Sequence, residues 1–139
     1  MLLKIAIGAF IMVMTTAIHT VAMMMALHLV ERQEKTQKPR LLRKTNIYLV
    51  SGIVLMMFLV SLAEVLIWAW TYLVLNAIEG LEQAVYFSMV TFTTLGYGDV
   101  LLDERWRLLA SFEAANGIII FGWTTAVLIA AVQRIYFRE

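Results

Sequence analysis

Residues 5–30 hold no Asp, Glu, Lys or Arg. As a helix rising about 1.5 Å per residue, this run crosses the roughly 30 Å hydrocarbon core of a bilayer with some tilt to spare. Two further runs follow, residues 46–78 interrupted only by Glu64 and residues 108–133 interrupted only by Glu113. With 62% hydrophobic residues and a mean hydropathy of +0.82, the chain lies far outside the range of water-soluble domains. An all-α membrane protein with three transmembrane helices is therefore expected. Lys4 could serve as the minimal basic region of a signal peptide. The first run is long for such a peptide and leads into a basic loop, so a retained helix over residues 1–30 is favoured. The absence of cysteine excludes disulfides and thiolate metal sites.

Charge distribution sets the expected orientation. Residues 31–45 carry Arg32, Lys35, Lys38, Arg40, Arg43 and Lys44 against Glu31 and Glu34, so this loop is assigned to the cytoplasm by the positive-inside rule. Pro39 breaks any continuous helix across it, and Leu41-Leu42 before Arg43-Lys44 suit a lipid surface; anionic lipids are candidate partners for the loop. Trp68, Trp70 and Tyr72 read as an aromatic belt at the outer end of the second span. The chain is thus expected to be a multi-pass protein of the plasma (cell inner) membrane, amino terminus outside and carboxyl terminus cytoplasmic. Thr15, Thr16, His19 and Thr20 on neighbouring turns mark a side of the first helix that faces protein. By depth, His19 is a candidate partner for Glu64. Asn116 faces either a cavity or a neighbouring helix.

Between the second and third spans, residues 83–98 are uncharged but too short to cross a bilayer, and suit a re-entrant segment entered and left from one side. That segment ends in Thr93-Thr94-Leu95-Gly96-Tyr97-Gly98-Asp99. The string resembles the selectivity filter of the potassium-channel pore family, T-V-G-Y-G, and Thr94 to Gly98 match it except for Leu95 in place of valine. The resemblance covers about residues 47–134. It implies a pore domain over residues 46–139: an outer helix 46–78, a pore helix 82–93, a filter 94–98 and an inner helix 106–134 in a homotetramer.

In that arrangement the backbone carbonyls of Thr94, Leu95, Gly96 and Tyr97, with Gly98 above them, replace the hydration shell of a K⁺ ion. Aiming consecutive carbonyls the same way needs residues at φ > 0, which Gly96 and Gly98 reach at little steric cost. Asp99 closes the outer mouth. With Glu79, Glu82, Asp103 and Glu104 against Arg105 and Arg107, the mouth offers a field that gathers cations.

The resemblance further implies that Tyr86 and Phe87 form a cuff against the filter tyrosine of a neighbouring subunit. Some relatives place an acid four residues before the filter threonine; Val90 stands there in this chain, so bracing must come from elsewhere. Glu113, accepting hydrogen bonds from Thr91 or Thr93, is the expected substitute. Gly117 and Gly122 are either the hinge of the inner helix or sites of close helix approach. Gly117, Phe121 and Thr125 fall on one helical stripe and are the expected pore lining, with Phe121 a candidate hydrophobic gate.

Three readings follow. The first is a passive K⁺-selective channel, with K⁺ as permeant ion and no cofactor. The second is a nonselective cation leak, the risk that Leu95 in place of valine introduces although it leaves the carbonyl unchanged. The third is a non-conducting regulatory membrane subunit. No nucleic-acid partner is expected, and no pairing of nucleophile with base suggests an enzyme.

Overall fold

The computed structural model describes residues 1–36 and 42–136. It contains α1 (Leu2–Thr36), α2 (Leu42–Val74), α3 (Leu81–Phe92) and α4 (Arg107–Tyr136), and no β-sheet among the described residues, so the segment after α3 is a single unpaired strand in the loose sense of the word. The chain is an all-α protein in which α1, α2 and α4 are each long and apolar enough to cross a membrane. In hydrocarbon a backbone must satisfy its own polar groups, which long helices do. Lys38, Pro39, Arg40 and Leu41 of the basic loop lie outside the described residues.

Helix ends depart from the sequence expectation where local chemistry decides. The first helix continues past residue 30 to Thr36, because a polar sequence can extend a helix into water beyond the bilayer. The second starts at Leu42 and stops at Val74, short of residue 78. Asn76 adopts φ 50, the Asn76 N–H donates to the Leu73 carbonyl at 3.0 Å, and the Ala77 N–H donates to that of Tyr72 at 2.8 Å. This pair of bonds is a Schellman cap, for which asparagine is the usual substitute for glycine. Trp106 precedes the last helix, in a turn closed by its N–H on the Asp103 carbonyl at 2.8 Å.

The amino-terminal end of α1 lies beside the start of α4, with the Lys4 ammonium 5.9 Å from the Trp106 ring centroid. At the far ends, Arg134 donates to Glu31 at 3.0 Å. α1 and α4 therefore run side by side in the same direction, and α2 runs against both. Close approach is helped by Gly8, where a Cβ would come within 2.9 Å of the Phe112 ring.

Burial divides into two apolar clusters. One gathers Val65, Trp68, Tyr72, Phe87, Phe92 and Leu109 around α3; the other gathers Ala26, Val30, Ile53, Met57, Val127 and Ala131 among α1, α2 and α4. Between them lies a polar layer of Thr15, His19, Glu64 and Asn116, all fully buried. The aromatic belt needs correction here. Trp68 and Tyr72 are fully buried, and only Trp70, at 65% exposure, faces outward. Glu64, Trp68 and Tyr72 recur every fourth residue, so they share the face of α2 turned to the protein.

Candidate functional site

The short helix α3 begins at Gly80, whose φ of 88 turns the chain sharply inward, and Glu82 in its first turn complements the helix dipole. Ala84, Ser88 and Phe92 form its buried stripe. At the other end the carbonyl of Val90 accepts from the N–H of both Leu95 (2.9 Å) and Gly96 (3.2 Å), and Thr94 donates to Thr91 at 2.9 Å. These bonds fold the chain back on the helix.

Beyond that turn, Thr94, Gly96 and Gly98 have φ of 59, 55 and 79, alternating with residues on the negative side. Backbone that alternates hand in this way is able to turn successive carbonyls toward one side. Glycine was the expected bearer of this geometry, but Thr94 shares it. A β-branched residue in the left-handed region costs on the order of 1–3 kcal/mol, and strain of this kind persists only where the surroundings impose it.

The flanking groups fix the far end of this segment. The Tyr86 hydroxyl donates to Asp99 Oδ2 at 2.6 Å, and this bond holds the Asp99 carboxyl below the usual carboxylate range. Tyr86 stays 40% exposed, whereas Phe87 is buried in its own chain, edge-on to Tyr72 with ring centroids 5.2 Å apart. Phe87 is thereby committed to internal packing, which separates the two members of the expected aromatic pair.

Glu113 reaches α3 through partners other than those anticipated. Instead of Thr91 or Thr93, it binds Ser88, and it accepts from the Tyr72 hydroxyl at 2.6 Å. Ser88 lies on the stripe of α3 that faces α2 and α4. Thr93, at the helix end, turns its hydroxyl back to the Met89 carbonyl at 2.8 Å. Ser88 and Tyr72 escaped the sequence reading; the four-residue recurrence of Ala84, Ser88 and Phe92 was the available signal.

On α4, Gly117 is a point of close approach. A Cβ there would stand 1.9 Å from the Phe92 carbonyl oxygen, so only glycine lets α4 meet the end of α3. Gly122 has open space around it. Phe121 packs edge-on against Phe92, centroids 5.8 Å apart, while remaining 41% exposed; Thr125 is exposed and bonds the Phe121 carbonyl at 2.8 Å. Of the expected stripe, Phe121 and Thr125 are open to the surface and Gly117 is not.

The polar layer ties α1 to the other spans. His19 Nδ1 lies 3.1 Å from Glu64 Oε1, its Nε2 lies 3.1 Å from Thr124 Oγ1, and Asn116 Nδ2 donates to Thr15 Oγ1 at 2.7 Å. The pairing expected of His19 and Glu64 is present, and Asn116 faces the neighbouring helix. Thr20, by contrast, is exposed.

Comparison of the chain with curated proteins and with solved structures finds no match. Comparison with protein families matches residues 60–134 to a family described as ion channel. That stretch takes in the carboxyl-terminal part of α2, all of α3, the segment after it and nearly all of α4. Since the match covers more than half of a chain with three membrane-crossing helices, the protein belongs to the ion channel family.

Proposed function

We propose that the chain forms a K⁺-selective channel in which four copies bring their 94–98 strands together on a common axis. One observation carries this reading: the segment alternates its backbone hand at Thr94, Gly96 and Gly98, the alternation that a row of carbonyls aimed to one side needs. Rings of such carbonyls, one from each of four chains, are what a dehydrated K⁺ requires. Burial supports the assembly. Residues 93–99 are all exposed in the single chain, Leu95 at 56% and Tyr97 at 67%, although the chain is otherwise built for lipid. Irregular backbone at membrane depth is tolerated only where protein covers it or water fills the space beside it. Neighbouring copies supply the cover and the pore supplies the water.

In this assembly Thr94, Leu95, Gly96 and Tyr97 coordinate K⁺ and Gly98 completes the strand. Asp99, held by Tyr86, draws cations to the mouth. Glu113, Thr91, Thr93 and Phe87 support the filter from within each chain. Phe121, Thr125 and Gly122 line or bend the inner pathway, and Gly117 fixes the crossing of α4 on α3. The ends of α1 and α2 that flank the basic 31–45 stretch lie on the cytoplasmic side, where anionic lipid headgroups are the expected partners, and the filter opens outward.

Purified protein in liposomes tests the proposal. It should dissipate a K⁺ gradient, and Gly96→Val, which forces a β-branched residue to φ 55, should abolish that flux while cross-linking still yields a tetramer. Liposomes as tight as protein-free ones, or an assembly with no tetramer, would overturn it.

A further inference from the structure

Three oxygen–oxygen contacts meet in the buried space between α2, α3 and α4. Tyr72 Oη lies 2.6 Å from Glu113 Oε2, Ser88 Oγ is bonded to Glu113 Oε1, and Ser88 Oγ also lies 2.8 Å from the Val65 carbonyl oxygen. Tyr72, Ser88 and Glu113 are all fully buried. Two oxygens at hydrogen-bond distance need a proton between them, so three contacts need three protons. Tyr72 brings one and Ser88 brings one. Carbonyl oxygens bring none. An ionised Glu113 would leave one pair of acceptors in contact with no proton between them, in a place where water cannot relieve the repulsion.

The charges around the site give a carboxylate no compensation. On α3, residues 83–92 include no Lys, Arg or His. On α2 the nearest titratable groups along the same face are Tyr72 itself and Glu64, two turns away, and Glu64 is tied to His19 of α1. On α4, Arg107 lies near the membrane surface and is engaged with the Leu102 carbonyl and Glu104. A buried charge without a counter-ion is the costliest arrangement available to the chain.

We propose that Glu113 is held as the neutral carboxylic acid and donates to Ser88, completing one directed chain of hydrogen bonds. In this chain Tyr72 O–H points to Glu113 Oε2, Glu113 Oε1–H points to Ser88 Oγ, and Ser88 O–H points to the Val65 carbonyl. Every donor has an acceptor, and the site carries no net charge. Ser88 is the member on α3, so the chain pins the pore helix to both flanking spans one turn before Phe92, where the backbone leaves for the 94–98 strand. Glu113, Ser88 and Tyr72 are positioning residues: they touch no ion and act through the placement of α3. Only this last step rests on the channel reading; the protonation state does not.

Infrared spectra of the full-length protein in lipid at neutral pH test the proposal. A C=O stretch of a protonated carboxylic acid is expected in the wild type, lost in Glu113→Gln and shifted in Tyr72→Phe, which removes the hydrogen bond to that carbonyl. Glutamine can replace the neutral acid, its NH₂ donating to Ser88 and its oxygen accepting from Tyr72. Glu113→Gln should therefore keep the wild-type melting temperature, while Glu113→Ala lowers it. Absence of the band, persistence of the band in Glu113→Gln, or a Glu113→Gln protein as damaged as Glu113→Ala would each overturn the proposal. A wild type that shows the band but passes no K⁺ would instead count against the channel reading alone.

Discussion

Asp99 shows how a single hydrogen bond can set the working range of a surface charge. Its carboxyl is held below the ordinary value chiefly by the Tyr86 hydroxyl. The folded value is lowered, so the stabilisation from this bond is fully present above the unfolded carboxylate pKa and is lost as pH falls through the folded one. At neutral pH Asp99 is charged, and in the proposed channel it would draw cations to the mouth. Tyr86→Phe removes the donor and should move the Asp99 titration upward, so that external acid reduces K⁺ current at a higher pH than in the wild type. Current–pH curves that superimpose for the two proteins would refute this. Much of this site was legible in the chain, because Gly96 and Gly98 alternate where the backbone must turn left-handed and Asp99 follows directly. Less legible was Thr94 at φ 59: a β-branched residue disfavours that region by itself, and only the turn onto the Val90 carbonyl imposes it.

At the scale of elements, the first helix is bound to the pore helices by polar side chains rather than by shape alone. His19 is the pivot, touching Glu64 on α2 and Thr124 on α4. Removing His19 alone leaves Glu64 buried without its partner, which costs more than replacing both by apolar groups. In a double-mutant cycle of His19→Leu and Glu64→Leu, read by reversible unfolding in detergent, the coupling should be about 0.6–1.7 kcal/mol, the range such cycles give for hydrogen bonds between membrane helices. Additive losses would show that the pair contributes nothing. The spans themselves could be read from the absence of charge, since hydrocarbon imposes that absence. Which face of each span turns inward was harder to read. Trp68 and Tyr72 have the composition of an interfacial belt, yet they are fully buried, because their spacing from Glu64 places them on the inward face. The same spacing argument applied to α3 would have found Ser88 as the partner of Glu113 in place of Thr91 and Thr93.

For the whole molecule, the single chain is an unfinished object. Its two apolar clusters and polar layer close the contacts among α1, α2, α3 and α4, yet the 93–99 strand remains uncovered at one end of the bundle. In the proposed tetramer, four copies around an axis would cover that segment and converge its carbonyls, and exposed side chains such as Phe10, Phe58 and Trp70 would be left for lipid. On that reading Leu95 changes the side chain but keeps the backbone carbonyl that K⁺ would meet, so selectivity should survive the substitution. The most direct test is the reversal potential of the purified channel in a planar bilayer with K⁺ on one side and Na⁺ on the other. A value close to the K⁺ equilibrium potential is predicted; a value near zero, or on the Na⁺ side, would contradict the account.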